Sequence, residues 1–364
     1  MQHTGMTMKD KSVKKARSYS LRELASLSGA DISTVSRALN HDPRISTERG
    51  ESIRKLAEKV GYRPRPLRSK LTKSVGILIS TTGSQDVPKE DFLRRIAWIA
   101  QRILGEMGLH VNIENISRTT ENGMFLPELV RQNRVDGVIL AGYFSQALVD
   151  NIRRTDIPIA AINDSSERLG ISCVRSNPAP AIRQLITTLA AKGHEQFAFL
   201  NTDLNYPTVR SRHDTFVETL KGLGIDHEKR FDITGLSDGI DGGVDGVRKL
   251  MKHGALPSTI LCCNDWMALG AIQELQRNGI KIPDDVSIAG HDNLQFCEEL
   301  EPTLTSIHRD EMEIVRKAVE LVMAQIENGD RTAKDILIDG KVVWRESVGI
   351  APGRLVKKSI SMVS

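Results

Sequence analysis

From Ile32 to Arg37 the chain reads Ile-Ser-Thr-Val-Ser-Arg, placing three hydroxyls, two branched apolar chains and one guanidinium within a short stretch. At helical spacing Val35, Ala38 and Leu39 face inward, which leaves Ile32, Ser33, Thr34, Ser36 and Arg37 on or near the outer surface. Such a surface suits a helix lying in the major groove of DNA. Hydroxyls and small apolar groups touch base edges or phosphates, and Arg bridges the two acceptors of guanine. An ordinary αα-hairpin carries the same local signals, so this pattern alone leaves both readings open. Signs of catalysis are scarce: the chain has no phosphate-cradling glycine loop, no GxSxG elbow and no His/Cys cluster at metal spacing. The run GIDGGVDG, residues 239 to 246, follows no strand into a Lys-Ser/Thr helix and reads as a loop entering a helix near 244–253. No enzyme activity, cofactor or metal is therefore expected.

The elements that would position the Ile32 to Arg37 face are legible around it. Ser20 and Glu23 form a Ser-x-x-Glu capping box, which starts a helix with Leu21, Leu24, Ala25 and Leu27 on its apolar face. Gly29 stands where a left-handed terminator is needed, and Asp31 can cap the next helix. A third helix is predicted from Ser46 as cap through Ile53, Leu56, Ala57 and Val60, with Gly61 ending it.

Charge is unevenly divided. Residues 1 to 73 carry 17 Lys and Arg against 7 Asp and Glu, a net +10, so with +4 for the whole chain the remainder is −6. That asymmetry is the footprint of a phosphate-binding N-terminal part joined to a part that does not coat nucleic acid. A chain of 364 residues with 40% apolar content can bury two or three sizeable cores. Cys173, Cys262, Cys263 and Cys297 have no metal-type spacing, which fits a reduced, cytoplasmic compartment. No uncharged apolar run is long enough to span a membrane, and residues 1 to 19 read as a flexible basic arm without a signal-peptide core.

The pieces TVSRALN, Ile45-Ser46 and Val60-Gly61-Tyr62-Arg63-Pro64 resemble the DNA-binding headpiece of the LacI/GalR family of bacterial transcription regulators, without gaps from Ser20 to Leu71. The resemblance implies that Ile32 and Ser33 select bases. Thr34, Ser36 and Arg37 would add base or phosphate contacts, and Ser20, Leu21, Asn40, Arg44 and Ser46 would touch the backbone. Residues 65 to 73, RPLRSKLTK, are too short to be a stable helix alone and are expected to order only against a partner. In the family this hinge lies in the minor groove, where a leucine wedges between base pairs, and Leu71 holds that place here. Arg65 and Arg68 stand where the family usually has Asn and Ala; Arg is itself suited to the minor groove.

From Ser74 onward apolar runs alternate with amphipathic helices, with strands expected at VGILIS (75–80), HVNIENI (110–116), DGVILAG (136–142), PIAAIND (158–164), QFAFLN (196–201), TILCCN (259–264) and VSIAG (286–290). Helices are expected over about 91–107, 179–192, 207–222, 243–253 and 266–278. Alternation of this kind means parallel sheets covered on both faces, and the number of strands favours two lobes with a ligand site in the cleft between them. Gly193-His194, NDWMALGA, IPDDVSIAGHDN, TLTSIH and Arg345-Glu346-Ser347 resemble the same family's regulatory core, which shares its fold with periplasmic sugar-binding proteins.

The fold expected is thus an all-α helix-turn-helix headpiece (20–64), a hinge (65–73) and a two-lobed α/β core (74–355), followed by a tail (356–364). The first lobe is expected to comprise 74–175 and 306–329, and the second 176–305 and 330–355. By the resemblance, Arg212 and Asp292 contact the effector, as do Asn264 and Asn163, while Trp98, Phe144, Tyr206 and Trp266 are stacking candidates. His291, where Phe or Tyr is usual, and Ser176-Asn177, in place of Asp-Asn, depart from the pattern. The effector implied is a sugar or sugar derivative, with a nucleobase or other metabolite as the alternative. The tail has no heptad of leucines to build a tetramer, so a homodimer on a pseudo-palindromic operator is expected. The competing reading is a solute-binding protein without a transcriptional role, for which the basic headpiece would have no use.

Overall fold

The computed structural model describes residues 21–39, 44–60, 71–81, 87–117, 125–163, 166–254 and 256–352. The chain divides into two units at Leu71 and Thr72. In the first, α1 (Leu21–Ser28), α2 (Ile32–Leu39) and α3 (Thr47–Lys59) enclose a small core of Leu24, Ala25, Val35, Ala38, Ile53 and Ala57. Gly29 ends α1 at φ +62°, a conformation that favours glycine. Asp31 caps α2 by accepting the Thr34 amide at 2.7 Å. Arg54 of α3 donates to the Ala38 carbonyl at 2.9 Å, so one carbonyl in the last turn of α2 is satisfied by a side chain. Ser46 occupies the cap position of α3, but its hydroxyl makes no capping bond, contrary to the sequence expectation.

The second unit contains two six-stranded sheets. The elements of its first half are β1 (Ser74–Thr81), α4 (Val87–Glu106), β2 (His110–Ser117), α5 (Glu128–Arg131), β3 (Gly137–Ala141), α6 (Gln146–Arg153), β4 (Ile159–Ile162), α7 (Ser166–Leu169) and β5 (Ser172–Asn177). Then come α8 (Ala179–Ala191), β6 (Phe197–Leu200), α9 (Pro207–Gly222), β7 (Asp232–Ile233), α10 (Ile240–Lys252), β8 (Thr259–Cys262), α11 (Asp265–Arg277), β9 (Ser287–Asp292) and β10 (Thr305–His308). The described chain closes with α12 (Glu311–Asn328), β11 (Asp335–Asp339) and β12 (Lys341–Val343).

The first sheet runs β11-β5-β4-β3-β1-β2, every pair parallel. The second runs β12-β10-β9-β8-β6-β7, parallel except for β12 against β10. The central strands of both sheets are buried on both faces, which is why they read as continuous apolar runs. One face of the first sheet packs on α4 and α12 through Ile96, Ala100, Leu104, Ile314, Ala318 and Val322.

Two sequence expectations are corrected. Strand β11 pairs with β5 in the first sheet, although residues 330–355 were expected in the second lobe, and β10 lies wholly in the second sheet, although 306–308 were expected in the first. Lobe membership is decided by pairing partners distant in sequence, 162 residues for Asp335 with Cys173 and 16 for Thr305 with Ala289, which local pattern does not encode. The glycine run GIDGGVDG is no loop: α10 begins at Ile240, and Gly242, Gly243 and Gly246 are buried within it. A Cβ on Gly243 would stand 1.9 Å from the Met267 carbonyl oxygen, and one on Gly270 2.0 Å from that of Ile240. These glycines let α10 and α11 meet backbone to backbone.

Candidate functional site

On the headpiece, Ile32, Ser33 and Arg37 are exposed, Thr34 and Ser36 half-buried, and Val35 buried. The Asp31 carboxylate accepts from the hydroxyls of Ser33 at 2.5 Å and Thr34 at 2.7 Å, and these bonds hold its carboxyl well below the usual carboxylate range. Each hydroxyl still offers lone pairs outward as an acceptor. Leu21 opens α1, and Arg44 and Ser46 are exposed in the turn before and at the start of α3. Leu71 is 63% exposed. Ser20, Asn40, Arg65 and Arg68 lie outside the described residues, as do the arm (1–19), the tail (356–364) and the capping partner expected of Glu23.

In the core, a cleft of about 700 Å³ has Arg95, Glu311 and Met312 from the first lobe on one side and Trp266, Leu294 and Phe296 from the second on the other. That volume lies in the range of small-molecule sites. Asp292, the last residue of β9, lines the cleft, and it and Asn293 take left-handed backbone conformations, φ 111° and 54°. Two non-glycine residues in succession at positive φ mark strain held where a site is built.

Charges of alternating sign cross the cleft. Arg212 of α9 places Nη2 3.9 Å from Asp292 Oδ1, and Arg309 Nη2 lies 3.3 Å from the same oxygen. Arg309 also reaches Glu311 at 3.0 Å, and Arg95 grips Glu311 with two bonds of 2.8 and 2.9 Å. Burial would raise the Glu311 carboxyl, but the hydrogen bond from Arg95 and the charge of Arg309 outweigh it and leave the group below its ordinary range. The Arg309 guanidinium stacks 4.0 Å over the Phe92 ring. Arg212 donates to the Cys263 carbonyl, which fixes its fork at the end of β8.

Beneath this row, Asp265 is fully buried at the start of α11, accepting from Ser306 Oγ at 2.6 Å and the Leu294 amide at 2.8 Å. Burial first, and the charge of Asp292 second, push its carboxyl up to about 7. His291 is held well below its ordinary value by burial and by the positive charges of Arg212 and Arg309, so it is neutral.

Buried polar atoms without hydrogen-bond partners among the described residues gather here: Arg212 Nε, Arg309 Nε, Trp266 Nε1, His291 Nε2, Asp292 Oδ1 and Asn293 Oδ1. Each such atom is costly unless something polar meets it. Trp266 and Phe296 pair beside them with ring centroids 4.8 Å apart.

Of the remaining expected contacts, Asn264 spends its carbonyl on capping α11 (Met267 amide, 2.8 Å) and donates its amide to Asp238 at 2.6 Å. Asn163, at φ 67°, stands half-buried beyond β4 with its backbone amide bonded to the Val174 carbonyl, and it does not line the cleft. Among the stacking candidates Trp266 lines the cleft, Phe144 is buried in the first lobe, Trp98 is 61% exposed on α4, and Tyr206 precedes α9. Sequence reasoning missed Arg95, Arg309, Glu311 and Asp265. The available signal was the Arg-Asp-Glu run at 309–311 directly after a strand, opening an amphipathic helix.

Comparison with known proteins agrees with this two-part architecture. Residues 20–65 match the family described as bacterial regulatory proteins, lacI family, and residues 186–348 match the periplasmic binding protein-like domain. The HTH-type transcriptional repressor PurR of Pasteurella multocida is 23% identical over 334 residues, spanning 90% of this chain and 98% of that protein. The ribose operon repressor of Haemophilus influenzae is 23% identical over 332 residues, with the same coverage. Among solved structures, the lac repressor dimer bound to operator and an anti-inducer superposes with a TM-score of 0.66 at 19% identity, covering 92% of this chain and 100% of that one. The complex of the regulator CelR with cellobiose gives 0.64 at 21%, covering 90% and 99%.

Proposed function

The chain belongs to the lacI family of bacterial regulatory proteins, and from that premise we propose that it is a cytoplasmic transcriptional repressor, binding a pseudo-palindromic operator as a homodimer under the control of a small-molecule effector. The observation that carries the effector is the set of orphaned polar atoms at the cleft. On the cleft wall it contains donors, on Arg309 and Trp266, and an acceptor, on Asn293, beside one aromatic pair and the Asp292 carboxylate that Arg309 and Arg212 flank. A sugar or sugar derivative matches that mixture, because each hydroxyl both donates and accepts and the ring offers an apolar face. Relatives and neighbours named for ribose and cellobiose support the same class.

Arg212 and Asp292 are assigned the primary ligand contacts, joined by Arg309. Asn264 acts as the cap that sets the α11 end of the site, and Asn163 as a rim contact. Ile32, Ser33, Ser36 and Arg37 are assigned base readout, with Thr34, Arg44 and Ser46 on phosphates. The alternating charges couple the lobes, so a ligand bridging Asp292 and Arg309 changes how the lobes close.

The test has two arms. Full-length protein is used to select duplexes from a random pool, and a panel of sugars and metabolites is screened for ligands that raise the melting temperature. The expected result is an inverted-repeat sequence whose affinity changes at least about fivefold with a stabilising ligand. Ligand binding without any sequence preference would instead favour a solute-binding protein.

A further inference from the structure

At the outer edge of the second sheet two imidazoles and a carboxylate converge. His213 comes from α9, its ring parallel to that of Phe199 with centroids 6.5 Å apart. His227 lies in the turn after α9, edge-on to Phe216 at 5.8 Å. Asp232 opens β7, the edge strand. Asp232 Oδ2 is 2.8 Å from His213 Nε2 and 3.4 Å from His227 Nε2, and one donor atom from each of the three residues lies within 4.8 Å of the others. The three side chains are only 14%, 23% and 16% exposed.

We propose that His213, His227 and Asp232 form a binding site for a divalent transition-metal ion of the zinc class. A hydrogen bond between His213 and Asp232 accounts for the 2.8 Å contact but not for the rest. His227 Nε2 and Asp232 Oδ1 are buried with no hydrogen-bond partner among the described residues. One cation meets both needs. Zinc bonds nitrogen at about 2.0–2.1 Å, so tetrahedral donors stand about 3.3 Å apart, close to the 2.8 and 3.4 Å that separate the Asp232 carboxylate from the two imidazoles. Two imidazoles and one carboxylate favour zinc-like ions over calcium or magnesium, which prefer all-oxygen shells. The Asp214 carboxylate lies 3.5 Å from Nδ1 of His213. A proton held on that nitrogen leaves Nε2 as a lone-pair donor, the arrangement that orients metal-bound histidines. Water would complete the coordination.

The sequence hides this site because its residues are spaced 14 and 5 apart on a helix, a turn and a strand. A bound ion would pin the two-residue β7 to α9 at His213, the residue that follows Arg212 in that helix.

The test uses the full-length chain stripped of metal with a chelator and titrated with cobalt(II) chloride. Visible ligand-field bands of four-coordinate cobalt should saturate at one ion per chain and be bleached by one equivalent of zinc. His227→Gln and Asp232→Asn should each weaken binding at least about tenfold while leaving the metal-free circular dichroism unchanged. Anomalous scattering from zinc-soaked wild-type crystals provides a readout that needs no variant, with a peak expected between the three side chains. Thiolate charge-transfer bands, a peak elsewhere, saturation only at millimolar metal, or unaltered binding by folded His227→Gln would overturn the proposal.

Discussion

Asp265→Asn isolates a carboxyl buried beneath the effector cleft. The rise of Asp265 from 3.8 to about 7, at about 1.4 kcal/mol per unit, corresponds to about 4 kcal/mol. The group is fully buried, so solvent screening does not reduce that figure. Its folded value lies above its unfolded one, so between these two values the folded chain holds a proton that the unfolded chain has released. Stability from this group is therefore fully present below about pH 4 and is lost as pH rises through about 7. His291 acts oppositely: its folded value is depressed, so its contribution is present above the ordinary histidine value and fades as pH falls below it. Comparing wild type with the variant removes that background. Asparagine fits the same space, its carbonyl accepting the Leu294 amide and its amide donating to Ser306 Oγ, whose hydroxyl can rotate. Urea unfolding at pH 5 and 6.5 should show wild type losing about 2 kcal/mol more than Asp265→Asn over that interval. Parallel stability profiles for the two proteins would refute the assignment of a protonated Asp265.

Asp292→Ala should abolish the stabilising effect of the ligand in thermal shift while leaving operator affinity intact; a normal ligand response would move the site elsewhere. Leu71→Ala should weaken operator binding by about 1–3 kcal/mol, comparable with a mismatched base pair, and leave random-duplex binding and its salt slope nearly unchanged. Equal losses on both duplexes at matched salt would remove the wedge role. Arg37→Ala should relax base preference at one position per half-site in the selected pool, and an unaltered preference would count against base readout by Arg37. Gly243→Ala should cost about 3 kcal/mol of stability, because the methyl has only backbone atoms of α11 to displace; an unchanged urea midpoint would contradict that packing.

The legible parts of the molecule are those whose determinants are local. Strands β1, β3, β4, β6 and β8 announce themselves because burial on both faces requires unbroken apolar runs. Helix α12 carries an equally clear signal, Ile314, Val315, Ala318, Val319 and Val322 at helical spacing, but the family-like motifs point only to the strand before it. Strand β11 alternates between exposed and half-buried residues at a sheet edge and reads like a loop. The cleft was half legible. Asp292 and Trp266 stand in recognisable motifs, whereas Asp265 looks like any acidic residue at a helix start until Ser306, 41 residues on, is brought against it. The Arg309–Asp292 pair depends likewise on the two lobes meeting, and the Arg95–Glu311 pair on the packing of α4 against α12 within the first lobe.

The interlaced sheets also set the order in which the protein can mature on the ribosome. The first sheet lacks its β11 edge and the α12 cover of one face until residues 311–339 have emerged, and the second lacks β10 and β12 until residue 343. Neither lobe can seal its core early, so both are completed together in the last stretch of synthesis. The headpiece core, by contrast, is drawn entirely from Leu24 to Ala57. A nascent chain therefore exposes a finished basic headpiece while more than two hundred residues of its regulatory part are still untranslated, and a premature stop before residue 311 would release a DNA-binding fragment with no folded core to restrain it.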